Sequence, residues 1–484
     1  MPLFGGITIP GRPDPENIRK LDLLPMPQIM RMERMGIAID LEYLRGVSAD
    51  LGNTMERLKR EISGYVDPKV LGRIEGFIGS SGDDLLINPE SSEQMAKLLY
   101  EQLGLHVGER IKRTKGGGRL TTGKKTLEQL KRKHEVVRLI LKYREASKLK
   151  GTYADKLPNV ARLHPKGKDC PLCGRHHWEA HYRIHTQIVT TRTDTGRLAS
   201  RNPNLQNIPA RTKEGAMIRR AFCAQKGYRL VQADYAQIEL RLLAHLAQEL
   251  QMIRIFLENG DIHLDTALRA FDISDPKLVD KMLHRAPCKN VNFGVVYGLG
   301  DVGLLDLMAL TYATAELELP DYIDLDWCAN FIQMWFALYP DAHAYLSEQH
   351  DRAKRYEFVW TPIGRVRLVP EVRSVHERVV AAGLRQAGNM PVQGFAADVM
   401  KLGMALVEEQ WEGARRAKGG GIDTEALLPI HDELISEVEE DWAESAVEWK
   451  VRAMGRALYD EKTGREECLV PIKADGKHME RWEK

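Results

Sequence analysis

The chain has 484 residues, 43% of them apolar and 29% charged, which is enough for sizeable cores in two or three domains. No apolar run approaches the ~20 residues of a membrane span, the opening residues lack a basic-then-apolar leader pattern, and six mostly scattered cysteines fit a reducing cytoplasm better than a disulfide framework. Net charge is only +2, yet Arg110 to Lys150 holds 15 Lys/Arg against 3 Asp/Glu, a local +12 that leaves −10 for the rest. A basic stretch beside an acidic remainder suits a protein that grips phosphates in one place and metal in another; alone, the run also reads as a solvated helical face.

Residues 1–20 are rich in Gly and Pro and read as an irregular lead-in. From Leu21 to Leu44 a short helix pattern runs into Met35–Asp40, a strand or turn. Residues 45–160 are predicted mostly helical, interrupted at residues 80–84 and at a glycine tip within residues 112–125 whose cations could follow a phosphate backbone. One helix is predicted over Thr126–Lys150. The polar stretch Leu163–His185 contains Cys170-x-x-Cys173 with His177 and His181 behind it, the composition of a small zinc knuckle; a polar surface loop with two thiols is the other reading. A strand-like run follows at Tyr228–Ala236, then a long helix pattern from near Gln237. Residues 246–370 are largely helical in pattern, with a short hairpin from Thr361. Leu427–Val438 reads as two strands meeting at His431–Asp432. Mixed helices with a small sheet give an α+β class.

Two isolated acids stand at the ends of apolar runs: Asp234 after Leu230–Ala233, and Asp432 after Leu428–His431. Such an Asp is commonly a turn former. Nucleotidyl transfer, however, needs two cations about 3.5–4 Å apart held by carboxylates, and magnesium takes few protein carboxylates, leaving room for substrate phosphates. Arg285, Lys289, Phe293 and Tyr297 recur every fourth residue, a slowly drifting stripe on one helical face. Two cations followed by two aromatics would serve a triphosphate and then a base pair. The plainer reading is an amphipathic helix with an aromatic core stripe. Pro287 is tolerable only where the helix begins, and Gly294, Val295, Val296 and Gly298 weaken it, as suits an element that closes over each substrate.

The words around these residues resemble the three catalytic motifs of family A DNA polymerases, the bacterial DNA polymerase I type. Asp234-Tyr235-Ala236-Gln237-Ile238-Glu239-Leu240-Arg241 resembles the first, Arg285 to Gly298 the second, and His431-Asp432-Glu433 the third. Thr195–Leu198 with Pro203–Pro209 is similar to the family's primer-template segment, and Arg385, Asn389, Pro391, Gln393, Gly394 and Asp398 to its later helix. The resemblance runs from about Leu21 to near the C-terminus. It implies the right-hand palm, fingers and thumb fold, with palm at 21–48, 186–245 and 371–484, thumb at 49–162, an insertion at 163–185 and fingers at 246–370.

It also implies roles. Asp234 and Asp432 would hold two Mg2+ ions (Mn2+ able to substitute), with Glu433 nearby. Lys289 would bind the triphosphate and protonate pyrophosphate, with Arg285 and His263 on the phosphates. Phe293, Tyr297 and Gln237 would complete the dNTP pocket, and Glu239 would fill the space of a ribose 2′-hydroxyl. Arg197 and Gln393 would read minor-groove acceptors shared by all correct pairs, while Asn389, Arg385, His431 and Asn207 would hold primer and template. Expected partners are primer-template DNA, dNTPs and a separate exonuclease or replisome proteins, for a monomer working in the cytoplasm, or a host's if viral. No nuclease domain is expected in this chain. Ala236 replaces the family's usual Ser, and the final His is missing, so a contact near the C-terminus differs. Competing expectations are a single-subunit RNA polymerase, against which Glu239 argues, and a non-catalytic DNA-binding relative, which would not need paired carboxylates.

Overall fold

The computed structural model describes residues 3–67, 86–105, 121–131, 133–210, 212–314, 317–416, 421–460 and 464–483. Residues 80–84 and 112–120, which include the expected glycine tip, lie outside these. The chain forms two compact units. The first is Met1–Ala38, Leu163–Asn207 and Ala224–Glu480; the second is Ile39–Arg162, Ile208–Cys223 and Arg481–Lys484.

The first unit is built on a four-stranded antiparallel sheet: β1 (Tyr228–Tyr235), β2 (Thr424–Ile430), β3 (Glu433–Glu439) and β4 (Ala474–Met479), in the order β4-β1-β3-β2. Strand β1 is central, and its run Leu230-Val231-Gln232-Ala233 is buried throughout, as a strand covered on both faces must be. The helices that frame the site are α1 (Ile238–Ala247), α2 (Ala286–Val296), α3 (Glu377–Arg415) and α4 (Ala443–Gly455). Helix α4 packs on β1 and β4, and α3 packs on α1 and α4. Residues 250–356 supply the helices Leu250–Leu257, Ile262–Ala270, Asp301–Thr314, Leu325–Leu338 and Pro340–Tyr356 around α2. One large core joins them, with Leu243, Phe256, Val291, Trp335, Phe395 and Trp411 at its centre.

The second unit has its own core, in which Leu58 and Ile62 meet Met95, Leu98, Leu127, Val137 and Ile140. Its principal helices are Leu41–Ser63 and Glu135–Leu149.

Three sequence expectations are corrected. The lead-in is ordered: Asp14 caps a helix over Pro15–Leu23, Leu3 and Ile7 are buried, and the Asn17 amide donates to the Ile363 carbonyl at 2.7 Å. Thr126–Lys150 is two helices, Lys124–Leu130 and Glu135–Leu149, because the His134 ring accepts from the Val136 amide and starts the second. The helix from Gln237 is short, since Gln248 turns left-handed at φ 52° and ends it.

Candidate active site

The sheet brings the acids together. Tyr235 donates its amide to the Asp432 carbonyl at 3.1 Å, and the β1/β3 register sets Asp234 opposite Glu433. Carboxylates nearly two hundred positions apart thus occupy neighbouring strand ends. The β2–β3 hairpin turns on His431 and Asp432 alone. His431 carries the positive φ (55°) that a two-residue turn between twisted strands requires. Asp234 and Asp432 are half-buried, whereas Glu433 is only 3% exposed. Asp475, on β4, pairs in register with Asp234 from the other side.

Behind these strands lies Lys450, which no local sequence pattern marks. Its fully buried Nζ donates to the Val231 carbonyl at 2.9 Å, to Ser436 Oγ at 2.7 Å and to the Leu434 carbonyl. It therefore pins β1 to β3 just below the acids. Burial pushes its pKa well down.

Glu239, in the first turn of α1 and 5% exposed, accepts from both Arg197 and the Tyr297 hydroxyl. Arg197 Nη2 also lies 3.9 Å from Asp432. Burial, and then the Glu239 charge, push the Tyr297 phenol far up, so it stays a hydrogen-bond donor. The three residues make one charge-assisted cluster beside the acids.

Helix α2 continues a π-helical turn over Lys281–Arg285, so Pro287 follows helical residues rather than opening the helix; α2 is capped by Tyr297, followed by Gly298 at φ 69°. A Cβ on Gly298 would meet the Arg385 side chain at 2.5 Å. Pro287, Cys288, Val291, Asn292 and Val295 are buried, while Arg285, Phe293 and Tyr297 are half-exposed and Lys289 is exposed. The four-residue stripe is thus the less buried face of α2, with Phe293 also packed against the large core.

Arg285 Nε donates to Asp261 at 2.6 Å; Asp261 also caps the Ile262–Ala270 helix. His263 is 1% exposed, and burial lowers its pKa to about 4. Its buried setting thus favours the neutral ring. Its Nδ1 accepts from Asn292 at 3.0 Å, which leaves the proton on Nε2, an atom with no hydrogen-bond partner among the described residues. Asn292 in turn accepts from Trp335 Nε1 at 2.8 Å. Asp261 and Asn292 are the residues that sequence reasoning missed here; the first had a signal, a helix-cap Asp before Ile262.

On α3, Arg385, Asn389 and Gln393 recur every fourth residue along a face that is exposed or half-exposed. Asn207 and His431 are exposed and Gln237 is half-exposed at the α1 N-cap. Asp398 is instead a buried structural acid, bound by Arg365 at 2.8 Å and Thr361 at 2.9 Å.

Away from the acids, His164, Cys170, Cys173 and His177 are all buried, with one donor atom from each within 4.8 Å of the others. His181, expected as the fourth member of this group, lies outside it, and His164 takes its place. The His181 ring is taken by the Glu179 carbonyl at 3.1 Å and by Arg183 at 3.2 Å. His164 comes from the strand preceding the loop, outside the Cys-x-x-Cys window.

The description of DNA polymerase family A matches residues 42–484. The chain is 37% identical over 423 residues to the thermostable DNA polymerase I of Thermus filiformis, covering 87% of this chain and 44% of that protein. It is 36% identical over 414 residues to DNA polymerase I of Deinococcus radiodurans, covering 86% and 37%. It thus spans less than half the length of these relatives. Its fold is similar to the solved POL domain of Pol1 from M. smegmatis in complex with DNA primer-template and dNTP, with a TM-score of 0.75 and 28% identity over 96% of this chain and 72% of that one. With the acids on adjacent strand ends and the cation–aromatic stripe on the less buried face of α2, the chain belongs to DNA polymerase family A.

Proposed function

We propose that the chain is a DNA-templated DNA polymerase that adds deoxynucleotides to a primer 3′-hydroxyl and releases pyrophosphate. The observation that carries this reading is the register that sets Asp234, Asp432 and Glu433 at one corner of the sheet. Family A polymerases generally use divalent metal ions. The donors here are carboxylate oxygens, which suit Mg2+ rather than a soft metal. Asp234 and Asp432 would hold it. When bound, such cations favour the primer alkoxide and offset charge on the phosphates.

The remaining roles belong to side chains. Lys289 and Arg285 neutralise the triphosphate, Arg285 exchanging Asp261 for phosphate, and His263 donates its Nε2 proton as a neutral group. Phe293 and Tyr297 face sugar and base. Glu239, fixed by Arg197 and Tyr297, blocks the 2′ position. The stripe Arg385–Asn389–Gln393 follows the duplex. In this reading the four-stranded sheet is the palm, residues 246–370 are the fingers, and the second unit is the thumb. Primer-template DNA and dNTP, which accompany the mycobacterial POL domain, are the partners. No helix among the described residues is long and apolar enough to cross a membrane.

Primer extension tests the reading, run with dNTPs, rNTPs or neither, with and without Mg2+. Asp234→Asn and Asp432→Asn should each lower the rate on the order of a thousandfold, several kcal/mol of lost charge stabilisation, while leaving DNA binding intact. Undiminished synthesis by either variant would refute it. Equal use of rNTPs would favour the RNA polymerase alternative.

A further inference from the structure

We infer that the segment between Leu163 and His185 is a structural zinc site whose ligands are His164 Nδ1, Cys170 Sγ, Cys173 Sγ and His177 Nε2, and that this site fastens the segment to the acid-bearing sheet. The inference does not depend on the proposed polymerase activity.

Four observations support it. First, the four donor atoms are gathered within 4.8 Å of one another: His164 Nδ1 to His177 Nε2 is 3.4 Å, Cys170 Sγ to His164 Nδ1 is 3.5 Å, and Cys173 Sγ to His177 Nε2 is 3.1 Å. Zinc bonds of usual length need ligand–ligand edges of about 3.3–3.8 Å, which small side-chain shifts from this arrangement supply.

Second, hydrogen bonds outside the shell turn both lone pairs inward. His185 Nδ1 lies 2.9 Å from the Glu33 carbonyl, which can only accept, so His185 carries its proton there. Its Nε2 then accepts from His164 Nε2 at 3.1 Å, leaving His164 Nδ1 unprotonated toward the shell. His177 Nδ1 lies 2.6 Å from Gln225 Oε1, which likewise leaves Nε2 unprotonated. Both bare imidazole nitrogens thus face the two sulfurs, lone pair and thiol together, as ligands converging on one cation do. Such oriented outer partners are how metal-binding histidines are held.

Third, the backbone forms a knuckle. Gly174, at φ 79°, donates to the Cys170 carbonyl at 2.7 Å, and Cys170 donates to the Arg175 carbonyl at 3.0 Å. Fourth, all four ligands are buried in a segment whose Pro165, Lys166, Lys168 and Asp169 are exposed. Two thiolates and two imidazoles in a closed tetrahedron favour zinc over harder cations, and a shell without an open position is structural.

The fastening is direct. Arg175, two residues past Cys173, reaches Asp423 at 2.9 Å and Glu437 at 3.2 Å, and Arg183 reaches the same Glu437 at 3.0 Å. Glu437 is on β3, the strand that begins at Glu433.

Protein purified without chelator or added metal should contain about one zinc per chain. A mercurial reagent should release it as the thiols react, detected with a chromogenic zinc chelator. After release, trypsin should cut at Lys166 and Lys168 much faster than in the loaded protein. Cobalt should give the absorption of a tetrahedral dithiolate site. His164→Ala should lose the metal, while His181→Ala keeps it. Zinc below about a tenth of an equivalent in the wild-type protein, iron in its place, or loss from His181→Ala but not from His164→Ala would each overturn the inference. If His164→Ala does not fold, the mercurial release and cobalt spectrum of the wild-type chain still decide the matter.

Discussion

In the proposed polymerase, a single atom at Phe293 would separate two kinds of substrate handling. The ring lies on α2, one turn from Lys289 and one from Tyr297; it is half-exposed, packed against the large core on one side and 5.7 Å from the His263 ring. In that reading, Phe293→Tyr adds a hydroxyl that supplies a phosphate-linked contact which a dideoxynucleotide otherwise lacks for want of its 3′-hydroxyl. A hydrogen bond to a charged group is worth about 1.5–3 kcal/mol, so dideoxy incorporation should rise about ten- to a hundredfold. Chain-termination ladders at matched nucleotide ratios measure this, and identical ladders from the two proteins would count against the placement of Phe293 at the sugar. Tyr297, by contrast, already spends its hydroxyl on Glu239. That bond explains why a carboxylate only 5% exposed can remain in the pocket wall: two donors, Arg197 and Tyr297, meet it.

Among the elements, β3 has the most to lose. Glu437 is fully buried in it and shared by Arg175 and Arg183. Burial opposes its ionisation, but the Arg183 and Arg175 guanidiniums outweigh this and hold the carboxyl below the usual range. The folded pKa is thus lower than the unfolded one. The stabilisation is complete above the ordinary value of 4.5 and is lost as pH falls through the folded value. Glu437→Gln leaves two buried guanidiniums short of a counter-charge and should cost about 3 kcal/mol at neutral pH. The gap between wild-type and variant should narrow in acid, read from denaturant midpoints between neutrality and the acid transition; a gap constant with pH would show that the charge does not matter. Neither Arg175 nor Glu437 was legible in the sequence, because their partnership joins a loop to a strand 262 residues away. What was legible was local: the two strands around His431–Asp432 follow from short-range apolar pattern and turn chemistry, and a hairpin does form at Thr361, though its first strand, Phe358–Trp360, precedes that residue; the helix around Pro287 instead starts earlier, at Lys281. The other misses share the opposite character. The Pro15–Leu23 helix is held by Ile363 from across the chain, and His164 becomes a ligand neighbour only because a strand carries it back over the knuckle.

For the whole molecule, charge is partitioned between the two units rather than balanced within each. Residues of the first sum to −9 and those of the second to +11, together the +2 of the chain. A near-neutral total therefore hides one unit suited to cations and another suited to phosphates. If the second unit grips DNA as proposed, affinity must depend steeply on salt, because each phosphate neutralised releases counterions. Six or more such contacts lower the association constant about a thousandfold or more between about 50 and 200 mM salt. On the Glu135–Leu149 helix, Lys142 and Lys148 stand exposed, opposite the buried Val137, Ile140 and Leu149. Replacing both with Gln leaves that core untouched. The double variant should bind every primer-template sequence more weakly by a similar factor, and the slope of log affinity against log salt should flatten by about 0.9 for each contact removed. Anisotropy titrations of a labelled duplex over a salt series measure both quantities. An unchanged slope with unchanged affinity would mean that these cations only solvate the helix, and the grip would then have to lie on other basic residues.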